Sequence, residues 1–343
     1  MTAIAKNLFS IPLEECSFSR RGFWSGSATS RAHLESVGES FLTGYNLALE
    51  EKDQHTLAAR LNTLSTELRG FAFEGAAMAM TILDSLMPWR RSRVLEFLHG
   101  AGWRHRYMLH VGMGWAVARL PRWMRVRTGN DDLLRWLVLD GYGFHEGYFK
   151  SRQFCGTEIP KASNLSGYAA RAFDQGLGRS LWFVHGTNVE RIHQNIERFH
   201  LSRRPDLWSG VGLACTYAGG CDEATVSRLK NAASDFAPEL AQGAAFAAKT
   251  RLEAGLLVPH TTMSCAILCN SSVERAAQET DLALQRLPAK AESEPRYEIW
   301  RRGIREALAA RTEVQAEVIT ESPDHRINRC PNHSIHEGAR DYV

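Results

Sequence analysis

A chain of 343 residues with 44% hydrophobic and 23% charged residues can bury a sizeable core and is too apolar for wholesale disorder. Its net charge of +3 excludes a molecule built throughout as a polyanion binder. No run of eighteen apolar residues occurs and the first ten residues hold no secretory signal, so the expectation is a cytoplasmic protein without a membrane span.

Period-2 alternation is rare, whereas apolar residues at helical spacing recur along the whole chain. Residues 31–50 carry the pattern first, and 53–68 continue it after a polar break. Residues 71–87 form the longest apolar stretch but include Glu74 and Asp84, which reads as a buried core helix. Helices are also expected over 188–199, 223–233, 238–254, 273–287 and 297–310. Pro205, Pro238 and Pro259 stand where a helix begins, since proline suits the first turn. Seven cysteines, an odd number dispersed in a long chain, suit reduced thiols, with Cys265 and Cys269 as core residues. From Arg311 onward the chain turns polar, so 1–310 reads as a single α-helical domain and 311–343 as a tail. The fold class is all-α and multi-helix.

Small-residue segments recur within this pattern: Gly75-Ala76-Ala77, Gly112-Met113-Gly114, Gly141-Tyr142-Gly143, Gly176-Leu177-Gly178, Gly210-Val211-Gly212 and Gly243-Ala244-Ala245. Their separation of roughly 30–40 residues is the range of paired-helix repeats, and points to a helical-repeat (αα-repeat) organisation. Glycine inside a helix costs about 1 kcal/mol against alanine. Its repeated use calls for backbones that approach each other or a ligand closely. None of these segments follows a strand, so they are not read as phosphate loops.

The densest group of reactive side chains is Asp140, Tyr142, His145, Glu146 and Tyr148, set among Gly and Phe. Such a setting can bring pKa values towards neutrality. His145 and Glu146 are neighbours, about 100° apart on a helix, and are not expected to pair with each other. Their partners are sought in other segments, with a core histidine as the plain reading. His110, His145 and a carboxylate such as Glu74 or Asp174 could hold a metal by residue type, as a weak candidate set. Gly100 and Gly102 can break the helix that would align His99 with His110. His193 and His200 fit a solvated helix face, and the terminal His325, Cys330, His333 and His336 lack a second ligand half. Between Trp89 and Arg127 stand nine arginines, no lysine and one acid, Glu96, with Trp103, Trp115 and Trp123 interleaved. Arginine with aromatics suits an anionic partner such as an acidic carrier protein. Nucleic acid is not the expected partner, and the plain reading is a solvated basic face. Asp131-Asp132 reads as a helix start.

The blocks Phe73-Glu74-Gly75-Ala76-Ala77-Met78, Asp140 to Phe149, Phe173 to Phe183 and Trp208 to Gly220 resemble a bacterial family known as domain of unknown function 1702. Its members occur in enediyne and related polyketide gene clusters. The resemblance implies secondary metabolism and a polyketide-type small-molecule substrate, without implying a reaction. His145, Glu146, Glu74, Asp174 and Arg179 fall inside the shared blocks. The leading expectation is therefore a biosynthetic enzyme with His145, Glu146, Glu74, Asp174 and Tyr142 as catalytic candidates. Arg179, Trp115, Trp182 and Tyr148 are candidates for substrate contact, with Arg179 holding an anionic group. The rival is a non-catalytic helical-repeat module that binds an acidic acyl carrier protein or a reactive product. No nucleotide, flavin or haem motif is visible, and cofactor use stays open.

Overall fold

Short polar side chains set the helix starts. Ser27, Asp53, Ser92, Asn188, Asp222 and Ser272 each accept a hydrogen bond from the backbone N–H three residues on, which satisfies a donor the first turn leaves open. The computed structural model describes residues 8–121, 123, 124, 126, 128–155, 165–291 and 293–321, with side chains as far as Arg311. Its principal helices are α1 (Ala28–Glu50), α2 (Gln54–Asn62), α3 (Arg69–Leu86), α4 (Arg93–His99), α5 (Arg106–Arg119), α6 (Arg135–Phe149) and α7 (Tyr168–Val184). They continue as α8 (Val189–Glu197), α9 (Arg204–Ala218), α10 (Glu223–Ala233), α11 (Ala237–Ala254), α12 (Pro259–Leu268), α13 (Val273–Gln285) and α14 (Arg296–Glu321). No strand occurs among the described residues, so the fold is all-α. Helix α14 runs past the point where the sequence turns polar.

Helices α1, α3, α5, α6, α7, α9, α11 and α13 pack in succession, each on the next. Residues two apart on a helix face nearly opposite ways, about 200° apart, so the two small residues of each recurring segment serve different neighbours. A Cβ on Gly141 would collide with the backbone of Val111 on the preceding helix, and one on Gly143 with that of Phe173 on the following helix. Gly176 and Gly178 repeat the arrangement against Asp140 and Leu207. Of the two readings of these glycines, close helix–helix approach is the one that applies here.

Two further expectations resolve at this level. Helix α4 ends at His99, and Gly100 and Gly102 lead into the turn Trp103–His105, so His99 and His110 do not share a helix. Asp131 accepts from the N–H groups of Leu133 and Leu134 at 2.9 and 2.8 Å, as a helix start should. The beginning of the chain also returns to later helices: Trp24 N–H donates to Val184 O, and Arg251 on α11 donates to Thr66 O and Glu67 O.

Candidate functional site

The residue before the first small residue and the residue after the second are four apart, so they share one helix face. In α3, α5, α6, α7, α9 and α11 the first of these positions holds Glu74, Val111, Asp140, Gln175, Ser209 and Gln242, all buried. The second holds Met78, Trp115, Phe144, Arg179, Leu213 and Phe246. A common register therefore brings polar side chains from successive helices into one interior. Arg179 and Asp140 form a buried ion pair, and the Arg179 guanidinium lies 4.8 Å from the Phe144 ring centre. Gln175 donates to Asp140 Oδ2 at 2.9 Å and reaches the Tyr297 hydroxyl at 3.4 Å. The Trp115 indole N–H donates to Glu74 Oε1 at 3.0 Å.

Two carboxylates face one guanidinium here, which opposes the effect of burial without overcoming it. Burial raises the Glu74 carboxyl to about 7, with Arg179 opposing the rise and Asp140 adding to it. Burial also raises Asp140, again opposed by Arg179. Glu74 Oε2, Gln175 Oε1 and the Tyr217 hydroxyl have no hydrogen-bond partner in the protein. A buried polar atom left this way costs roughly 1–3 kcal/mol. Glu74 and Trp115 also line a small pocket of about 40 Å³, walled by Phe41, Phe71, Phe144 and Phe149 and by Ile11 and Cys16 of the N-terminal segment. A larger open cleft of about 1080 Å³ lies elsewhere and shares none of these lining residues.

The predicted site residues are only partly brought together. Glu74, Trp115, Tyr148 and Arg179 belong to the interior and its aromatic pocket. Arg179, expected from sequence to hold an anionic substrate group, pairs with Asp140 through one Nη, while its Nε has no hydrogen-bond partner in the protein. Asp174 is held by Arg203 through two contacts of 2.8 and 2.6 Å, and it does not partner His145. His145 instead meets the Trp115 ring edge-on at 5.6 Å, so the indole separates it from Glu74. The expectation that His145 and Glu146 cannot meet is corrected. The flexible Glu146 side chain folds back to bring Oε1 within 3.4 Å of His145 Nδ1, while its Oε2 takes Lys150. Burial lowers the His145 pKa, and the Glu146 contact only partly offsets it.

Tyr142 packs edge-on to Phe173 at 5.3 Å. Tyr148 donates to Cys16 O at 3.3 Å and Trp182 to Gly219 O at 2.9 Å. These contacts serve packing. His193 is half-buried near Trp208 rather than on a fully solvated face, while His200 is exposed. Gln175, Tyr217 and Tyr297 join the site without having been singled out, whereas Asp140 stood in the dense reactive group but not among the catalytic candidates. For Gln175 the available signal was its offset from the glycine segments.

His110 Nδ1 lies 2.7 Å from Arg106 O. Among the described residues no three His, Cys, Asp or Glu side chains gather into a metal-binding group. The histidines and cysteine of the terminal stretch lie outside the described residues. No described helix is long and apolar enough to cross a membrane. The six described cysteines are free, with Cys265 and Cys269 buried.

No curated protein and no solved structure gives a significant match to the chain. A family match covers residues 1–308, which includes α1 to α11, every interior position named above and the N-terminal wall of the pocket. On that match, the chain belongs to the family described as protein of unknown function DUF1702.

Proposed function

We propose that this protein is an enzyme of natural-product biosynthesis that holds an apolar, polyketide-derived intermediate in the aromatic pocket and moves a proton with Glu74. The observation that carries this reading is the state of the Glu74 carboxyl. One oxygen is fixed by the Trp115 N–H, the other has no protein partner, and the group lies at an aromatic wall. A carboxyl with a pKa near the working pH can give or take a proton with little penalty in either direction. Asp140 and Arg179 act as positioning residues, because they set the charge that Glu74 experiences.

A cavity of about 40 Å³ accommodates water rather than a polyketide chain. Admission of substrate therefore requires the segment around Ile11 to Cys16 to move. Few bonds hold it: Asn46 exchanges two hydrogen bonds with the Ile11 backbone, Tyr148 donates to Cys16 O, Cys16 Sγ donates to Glu35 O, and the Glu35 carboxylate accepts from Phe18 N–H. Titration with trans-parinaric acid, a fluorescent conjugated polyene, tests the proposal. Saturable binding that is faster in Asn46→Ala and retained in Glu74→Gln is expected. Absence of saturable binding in both wild type and Asn46→Ala would remove the pocket from consideration.

A second reading, a docking module for an acidic carrier protein, is favoured by a different observation. Trp89 and Trp123 are each 78% exposed and Trp103 is 52% exposed, on the arginine-rich stretch. Neutralising the exposed Arg91 and Arg104 together should weaken carrier-protein binding, and unchanged affinity would remove this face from consideration.

A further inference from the structure

The open cleft of about 1080 Å³ is built from turns that join the helices. Trp24, Ser27, Ser30 and His33 line it from the chain's beginning, and Glu67, Asn188, Asp222 and His260 from later turns and helix starts. It carries a cluster that the proposed reaction does not use. His260 Nε2 lies 3.0 Å from Tyr217 O, and His33 Nε2 lies 2.6 Å from Ala218 O. A carbonyl oxygen can only accept, so each ring must carry its proton on Nε2, which leaves each Nδ1 with a lone pair when the ring is neutral. Both Nδ1 atoms face the same carboxylate oxygen: Glu67 Oε1 is 3.2 Å from that of His260 and 3.9 Å from that of His33. Burial lowers the His260 pKa, with Arg251 and His33 adding to the effect and the Tyr217 carbonyl and Glu67 opposing it, so its neutral form prevails at neutral pH.

With both rings neutral, Glu67 Oε1 and the two Nδ1 lone pairs converge with no donor among them. Arg251, a buried cation that acts on His260, is engaged with the Thr66, Glu67 and Tyr217 carbonyls. Arg228, at the edge of the cleft, donates to Thr225. The lining sets three carboxylates, Glu67, Glu190 and Asp222, against the single guanidinium of Arg228, which disfavours anions such as phosphates.

We infer that the cleft is a binding site for the ammonium group of a hydroxyl-bearing amine, held by His33 Nδ1, His260 Nδ1 and Glu67. A primary ammonium offers three N–H donors and no acceptor, matching the three converging acceptors. The Glu67 side chain, 43% exposed, has room to swing and open the gap. Ser27, Ser30 and Asn188 lie within the same cleft to meet hydroxyls. This site is independent of the Glu74 proposal, since the two sets of lining residues do not overlap.

The test is an NMR titration of the full chain at fixed neutral pH, following the His33 and His260 ring signals with ethanolamine as probe. Tetramethylammonium, a cation without N–H donors, is the control. Saturable shifts of both rings with ethanolamine only, weakened at least tenfold in Glu67→Gln, are expected. Absence of saturable shifts, equal shifts with tetramethylammonium, or an undiminished response in a folded Glu67→Gln would each overturn the assignment.

Discussion

Two buried charge networks in this molecule use the same side-chain types and reach opposite electrostatic states. Around Arg301, the carboxylates Asp206 and Glu298 meet three guanidiniums, those of Arg171, Arg301 and Arg305, the last of which also pairs with Glu239 at the edge of the network. Burial alone would raise Glu298, but Arg301, Arg171 and Arg305 outweigh it and hold the carboxyl at about 2. Around Arg179, two carboxylates share one guanidinium, and Glu74 rises to about 7. Burial is common to both, so the balance of charge decides. The Arg301 network keeps Glu298 ionised and fastens α14 against α7 and α9. The Arg179 cluster leaves one carboxyl close to its own midpoint, which is the property a proton-transfer group needs.

This contrast can be broken experimentally. Arg179→Met should have the largest effect, roughly 3–5 kcal/mol in denaturant unfolding, because it strands Asp140 without a counter-charge. A loss below 1 kcal/mol would mean that Asp140 is already neutral.

Glu298→Gln and Glu74→Gln should then give mirror-image pH profiles. A carboxyl held below its ordinary value of 4.5 stabilises the fold above that pH, and the contribution is lost as pH falls through about 2. Glu298→Gln should therefore cost on the order of 3 kcal/mol at pH 7 and little at the acid limit. A carboxyl raised above 4.5 stabilises below that pH, and its contribution is lost as pH rises through about 7. Glu74→Gln should remove a decline, also on the order of 3 kcal/mol, between about pH 4 and pH 8. Parallel pH profiles for the two variants would abolish the distinction. Tyr217→Phe should change stability least, raising it by roughly 1 kcal/mol, since it removes a buried hydroxyl that has no hydrogen-bond partner. A loss in denaturant unfolding would reveal a partner.

Much of the fold was legible in the sequence because helix periodicity and capping are local properties. The spacing of apolar residues and the Ser, Asp and Asn caps fix where helices start, whatever the tertiary arrangement. The glycine segments went further: their spacing marks the positions where successive backbones touch. Which charges pair was not legible. Asp174 and Arg179 are five apart on α7, yet one turns to Arg203 and the other to Asp140. Nothing in the local sequence distinguishes these fates, because the partners come from other helices. His145 was given weight for its polar neighbours, but the Trp115 ring that separates it from Glu74 is supplied by α5. The cleft around His260 was missed for the same reason, since its histidines are more than two hundred residues apart and meet only when the chain's start returns to α9 and α12.

The most direct test of the central claim is a pH titration of the glutamate side-chain carboxyl signals by ¹³C NMR, comparing wild type with Glu74→Gln. One carboxyl should titrate with a midpoint near 7 in wild type, and that signal should be absent from the variant. If every glutamate is already ionised by roughly pH 5, in the ordinary range, Glu74 carries no poised proton and the proposed chemistry is wrong.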